Sequence, residues 1–268
     1  MTAPRVLGQV LVLNAGSSSL KWVVLDAPTR QVVTQGDARW EGTEGGRHEA
    51  ELLAALRQAP DVDAVGHRVV HGGDRFRAPV LVDDAVRADI AALGELAPLH
   101  NPAALAGIDA ARQRFPTVAQ VAAFDTAFHA SLPEPAATYA LPREWIQRWG
   151  LRRYGFHGLS VQYAVGRAAE LLGTAPSRLV VCHLGAGCSV TAVADGRSVD
   201  TSMGFTPLEG LAMARRSGSV DPAANAGLVG RDGDVAAPES RVRVLVVAAR
   251  EDLAVLDDVQ RVLGPPSA

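Results

Sequence analysis

Apolar residues recur along this chain in short runs with a two-residue period and in longer stretches at helical spacing. The run QVLVLN at residues 9–14 leads into Ala15-Gly16-Ser17-Ser18-Ser19 and a second apolar run at 20–25, which predicts a hairpin closed by small residues. A strand near 31–40 continues the meander. Spacing then predicts a helix over 49–58, a buried strand over 64–70 with a Gly-Gly turn at 72–73, helices over 83–93 and 103–114, and a strand over 118–124. A proline-punctuated loop covers 133–142, and apolar or small residues at 161, 164, 165, 168, 171 and 172 predict a helix over 160–172.

The opening pattern then starts again. LVVCHL at 179–184 runs into Gly185-Ala186-Gly187-Cys188-Ser189, the apolar run VTAVA and a third strand at 197–201. Two apolar hairpins, each built around Ala-Gly and a nearby serine, predict a duplicated mixed α/β architecture. The second copy is shorter. After Pro222 the chain is rich in Ala, Gly and Asp, then gives one strand over 242–247 and a final helix over 251–263. The expected division is a first domain over 1–177 and a shortened second domain over 178–268, with the last helix packing back toward the first.

Composition narrows the function. With 48% hydrophobic and 21% charged residues, 268 residues suit a globular protein with a sizeable core. Net charge is −3, and the 26 basic residues are scattered, so no basic stripe for nucleic acid exists. No apolar run approaches the roughly 18 residues of a membrane span, and no secretory signal opens the chain. Cys182 and Cys188 fit neither a zinc spacing nor a disulfide framework, so a reducing cytoplasm is the expected setting. Lys21, in the first hairpin, is the sole lysine.

The candidate chemistry lies at strand ends and turns. NAGSSSLK offers backbone amides, hydroxyls and a lysine to an anion, although a plain serine-rich turn has the same composition and the GxxxxGK[ST] spacing is absent. GHRVVHGG sets Arg68 and His71 at an open strand end, where α/β sheets bind ligands and where surface ion pairs also sit. Asn101, before Pro102, reads as a helix N-cap. Asp125 follows a strand and can hold a magnesium water, a reacting group or a turn. His157 precedes a helix, and Arg215 and Arg216 lie in a glycine-containing loop. Arginines, a histidine, an aspartate and two glycine hairpins form an inventory suited to phosphoryl transfer, which needs positioning and charge neutralisation.

NAGSSSLK, GHRVVHGG, LAPLHNP, FDTAFH, RRYGFHG, HLGAG and TSMGFTPLEGL, in this order, resemble the acetate and propionate kinase family. The resemblance implies an actin-like ATPase, ribonuclease H-like duplicated α/β fold, with the first domain complete and the second truncated. It implies transfer of a phosphoryl group from ATP to acetate or another short carboxylate, with Mg2+, giving an acyl phosphate and ADP. By the same resemblance Asp125, Arg68, His157 and Arg216 are catalytic, and Arg68, Val70, Leu99, Phe156 and Pro207 bind the carboxylate and its methyl group. Ser17, Ser18, Ser19, Lys21, His183, Gly185, Ala186 and Gly187 face phosphate, and Asn14 and Glu251 associate with magnesium. A homodimer is the family's usual state.

The departures are specific. Ala186 stands where the family has asparagine, Leu159 and Val161 replace polar residues, and the family's adenosine-binding segment is absent after residue 222. Two expectations follow: an acetate kinase-type phosphotransferase, or a catalytically impaired relative serving as a binding or oligomerisation module or without function. A second domain without its later strands is also expected to expose an apolar sheet face.

Overall fold

The computed structural model describes residues 7–16, 19–39, 45–98, 100–214, 216, 218–219, 233–234, 245–246 and 250–264. Ser17, Ser18 and Leu99, together with most of 220–249, lie outside the described residues. Contacts divide the chain into one compact unit of Met1–Ala127 with Asp252–Ala268 and another of Phe128–Glu251. This partition follows packing, whereas the division at 177/178 follows the duplicated hairpins.

In the first unit, β1 (Gln9–Gly16), β2 (Ser19–Asp26) and β3 (Val32–Arg39) form the antiparallel meander. After α1 (Gly45–Leu56), β4 (Ala64–Val69) pairs parallel to β1. The chain continues through β5 (Val80–Leu81), α2 (Asp84–Ala92) and α3 (Asn101–Arg114) to β6 (Ala119–Phe124), parallel to β4. The sheet order is β3-β2-β1-β4-β6-β5. This is the α/β actin-like arrangement expected from the sequence.

The central strands β4 and β6 are buried almost throughout, because parallel strands carry helices on both faces. Leu11, Leu13 and Val65 pack with Leu52 and Leu56 of α1 and with Ala110 and Ala111 of α3. Each such Leu contributes about 1.5–3 kcal/mol by leaving water. The last helix, α7 (Glu251–Leu263), packs on the same unit. A Cβ on Gly66 would lie 2.5 Å from Val255, so β4 and α7 meet closely enough to require glycine. Gln260 bonds the Ala27 carbonyl at 2.9 Å and Arg30 pairs with Asp257 at 2.8 Å, fixing the helix along the sheet.

The second unit holds α4 (Glu134–Ala137), α5 (Arg143–Trp149), α6 (Gly158–Leu172), and a sheet of β7 (Arg178–Leu184), β8 (Cys188–Ala194) and β9 (Arg197–Thr201). This sheet repeats the first meander, down to an irregularity between its second and third strands at Ala192/Val193, as at Val24/Leu25. Val161 of α6 covers Val181 and Val193. Val180 and Leu184, on the other face of β7, are 63% and 68% exposed, the apolar face expected of a shortened second sheet. A two-stranded pair joins β10 (Gly233–Asp234) to β11 (Leu245–Val246), so the expected strand over 242–247 is described only in part. Among the described residues no helix is long and apolar enough to cross a membrane.

Two local expectations change. Inside the expected loop over 133–142, Glu134–Ala137 forms the short helix α4, whose Glu134 carbonyl accepts from the Thr138 N–H at 2.9 Å. Asn101 does not cap α3; His100 occupies that position. The Asn101 side chain is buried and serves the His71 backbone instead, accepting from its N–H at 3.1 Å and donating to its carbonyl at 3.0 Å. A buried backbone pair needs partners more than an exposed helix end does.

Candidate functional site

The expected site residues form one cluster in each unit. In the first, Arg68 and Asp125 sit at the C-terminal ends of adjacent parallel strands. The Asp125 backbone N–H extends the ladder to the Val69 carbonyl at 3.0 Å, which places its side chain beside β4. Arg68 Nε donates to Asp125 Oδ1 at 3.1 Å and Nη2 to Oδ2 at 2.6 Å, a two-pronged ion pair. Arg68 Nη1 also donates to Asn14 Oδ1, on β1, at 3.1 Å. Asp125 is 1% exposed and Arg68 19%, so the carboxylate is sealed behind a guanidinium that reaches solvent. Lys21 is exposed and stands directly across the hairpin from Asn14, and Ser19 pairs with Gly16. Val70, half-buried, follows the strand that carries Arg68.

In this cluster the groups expected near magnesium are already paired within the protein. The Asn14 oxygen expected near magnesium accepts from Arg68, and both Asp125 oxygens face the same cation. Among the described residues no group of three or more His, Cys, Asp or Glu could hold a metal ion. Glu251 is the half-buried first residue of α7.

The second cluster gathers at the β7–β8 hairpin. Gly185 N–H bonds the Gly187 carbonyl at 3.0 Å and closes the turn, with Ala186 exposed at its tip. His157 holds a left-handed backbone, φ 61°, at the entry to α6. Its ring stacks on His183 with centroids 3.9 Å apart and planes 21° apart. Each ring is fixed by a hydroxyl: His157 Nδ1 lies 3.0 Å from Ser189 Oγ, and His183 Nδ1 lies 2.8 Å from Ser160 Oγ. A Cβ on Gly187 would come within 3.1 Å of His157 Nε2 and 3.9 Å of Arg216 Nη1, which puts this glycine between the two groups. Arg216 Nη1 donates to the Pro207 carbonyl at 2.9 Å. Phe156 is buried, and its carbonyl lies 2.9 Å from His129 Nε2, while His129 Nδ1 is 2.9 Å from Ser198 Oγ.

Sequence reasoning missed Ser160, Ser189 and His129, which orient the named histidines and Phe156. Ser189 stands within a hairpin that had been singled out, and His129 ends FDTAFH. Their roles depend on partners distant in sequence.

The Acetokinase family model matches residues 48–228. The acetate kinase of Deinococcus radiodurans is 51% identical over 238 residues, covering 79% of this chain and 60% of that protein. That of Thermotoga maritima is 46% identical over 246 residues, covering 80% and 61%. Among solved structures, a propionate kinase from Francisella tularensis aligns at TM-score 0.71 with 40% identity, covering 80% of this chain and 62% of that one. Porphyromonas gingivalis acetate kinase aligns at TM-score 0.70 with 38% identity and the same coverages. The chain therefore spans about three fifths of the length of these relatives.

Proposed function

The chain belongs to the acetokinase family, and on that premise we propose that it transfers the γ-phosphoryl group of ATP to acetate or another short carboxylate. The observation that carries this reading is the Arg68–Asp125–Asn14 cluster at the open ends of β1, β4 and β6. A carboxylate oxygen attacks phosphorus, the bond from phosphorus to the bridging oxygen breaks, and ADP leaves.

The residues divide the work. Arg68 holds the incoming carboxylate, and Asp125 keeps the guanidinium in one orientation. His157, held at Nδ1 by the Ser189 hydroxyl, turns Nε2 to hydrogen-bond a phosphoryl oxygen. Arg216 neutralises charge on the same group. The family resemblance assigns His183, Gly185, Gly187, Ser19 and Lys21 to phosphate, and Val70, Phe156 and Pro207 to the methyl group. Magnesium, which keeps several waters and takes only one or two carboxylates from protein, would offset the charge of the ATP phosphates. Asn14 and Glu251 are the residues that the family resemblance assigns to hold it, and no step above runs through it.

A second reading, a family member without turnover, is favoured by the absence of the family's adenosine-binding segment after residue 222 and by Ala186. Acetate-dependent ADP release from ATP and Mg2+ by the 268-residue chain separates the two. The expected result is turnover that falls at least a hundredfold in Arg68→Ala and in His157→Ala, the scale of losing one charge-stabilising group. A folded chain that neither releases ADP nor binds ATP in calorimetry would establish the second reading instead.

A further inference from the structure

The described residues of the stretch 202–219 include Pro207 and Arg216 but no helix or strand, so something other than a backbone ladder must hold them. Glu209 does. One carboxylate oxygen accepts from the Tyr139 hydroxyl, and the other accepts from Arg153 Nη2 at 2.8 Å. The same two partners reach the backbone of the stretch: Phe205 N–H donates to the Tyr139 oxygen at 2.7 Å, and Arg153 Nη1 donates to the Ser202 carbonyl at 3.2 Å. A Cβ on Gly204 would collide with both Glu209 and Tyr139, so the contact closes against bare backbone. Burial and the Glu209 bond push the Tyr139 hydroxyl up to about 12, which keeps it a donor at neutral pH.

Immediately after Glu209, Gly210 and Ser219 bond reciprocally, Gly210 N–H to Ser219 Oγ at 3.0 Å and Ser219 N–H to the Gly210 carbonyl at 2.7 Å. They form the neck of a loop that contains Arg216. From inside it, Arg216 reaches back to the Pro207 carbonyl at 2.9 Å, and its own carbonyl accepts from Met213 N–H at 2.8 Å. Glu209 is thus fixed between the carbonyl that orients Arg216 and the neck of the loop that delivers it.

We propose that Glu209, held by Tyr139 and Arg153, is a positioning residue that sets the Arg216 guanidinium for the phosphoryl group. The inference rests on the role assigned to Arg216 above. Glu209 itself does not touch substrate.

The test uses the full chain with Glu209→Gln, Tyr139→Phe, Arg216→Ala and the double variant Glu209→Gln/Arg216→Ala. The first readout is the Arg216 side-chain Nε–H resonance, assigned by its loss in Arg216→Ala. Glu209→Gln is expected to shift or broaden it, and Tyr139→Phe, the milder change, moves it in the same direction. An unmoved resonance in both variants overturns the proposal. The second readout is kcat: Glu209→Gln is expected to lower it about tenfold with little change in KM, as displacing an oriented group does, and to cost nothing further when Arg216 is already alanine. Equal losses in both backgrounds would mark Glu209 as merely structural. If the unaltered chain releases no ADP, the kinase reading fails, while the resonance still decides whether Glu209 sets Arg216.

Discussion

The two antiparallel meanders, β1–β2–β3 and β7–β8–β9, begin from similar apolar patterns and end in different surroundings. β1 has β2 on one side and β4 on the other, and the sheet lies between α1 and α3 on one face and α7 on the other, so four consecutive residues from Val10 to Leu13 are buried. β7 has one strand neighbour among the described residues and α6 over one face, so only Val181 is buried along it. A hairpin's local pattern fixes its pairing. What packs against it fixes how much it stabilises.

The largest test of that contrast is truncation. Leu11→Ala should cost about 2–5 kcal/mol in urea denaturation, because it leaves a cavity in the core. Val180→Ala, on the open face, should change stability by less than about 0.5 kcal/mol. Similar costs at both positions would mean the two sheets are equally enclosed.

His67 sharpens the comparison by titration. It is 2% exposed, bonds Gln120 at 2.8 Å, and burial drives its pKa down to about 4 despite that bond and the field of Asp109. The unfolded chain therefore takes up the proton first as pH falls. The neutral ring's contribution is complete above about pH 6.5, the unfolded value, and is lost between there and about pH 4, by up to about 3 kcal/mol. His67→Leu should flatten the slope of unfolding free energy over that window; an unchanged slope would assign it to other groups.

The smallest effect comes from adding one methyl group in each unit. Gly66→Ala pushes a Cβ to 2.5 Å from Val255 and should destabilise by about 1–3 kcal/mol as α7 is displaced. Gly166→Ala, in α6 with nothing within 4 Å, should stabilise by about 0.5–1 kcal/mol through helix propensity. Opposite signs in thermal melts keep the distinction, and a shared sign removes it.

Much of this molecule was legible in its residues. Both meanders, the buried strands 64–70 and 118–124 and the last helix follow from periodicity, because burial on one or two faces imprints a period on the sequence. Arg68 and Asp125 stood out because each ends an apolar strand. Asn101 was misread because N-capping uses the same side chain that here serves the His71 backbone. Ser160 carried no local signal, and Ser189 and Glu209 stood inside recognised motifs with nothing to mark their partners. A hydroxyl one turn into a helix, or a glutamate in a loop, becomes specific only when a partner tens of residues away arrives.

By itself, then, the sequence determined the strand and helix periods, the repeated hairpin and the residue types for anion chemistry, since these depend on neighbours within a few positions. Tertiary structure alone decided that Asp125 is sealed behind Arg68, that His157 and His183 stack with a serine on each, and that Glu209 ties a loop to Tyr139 and Arg153. Those are pairings across long separations, and hydrogen-bond geometry is set by where folded elements meet, which no local period encodes.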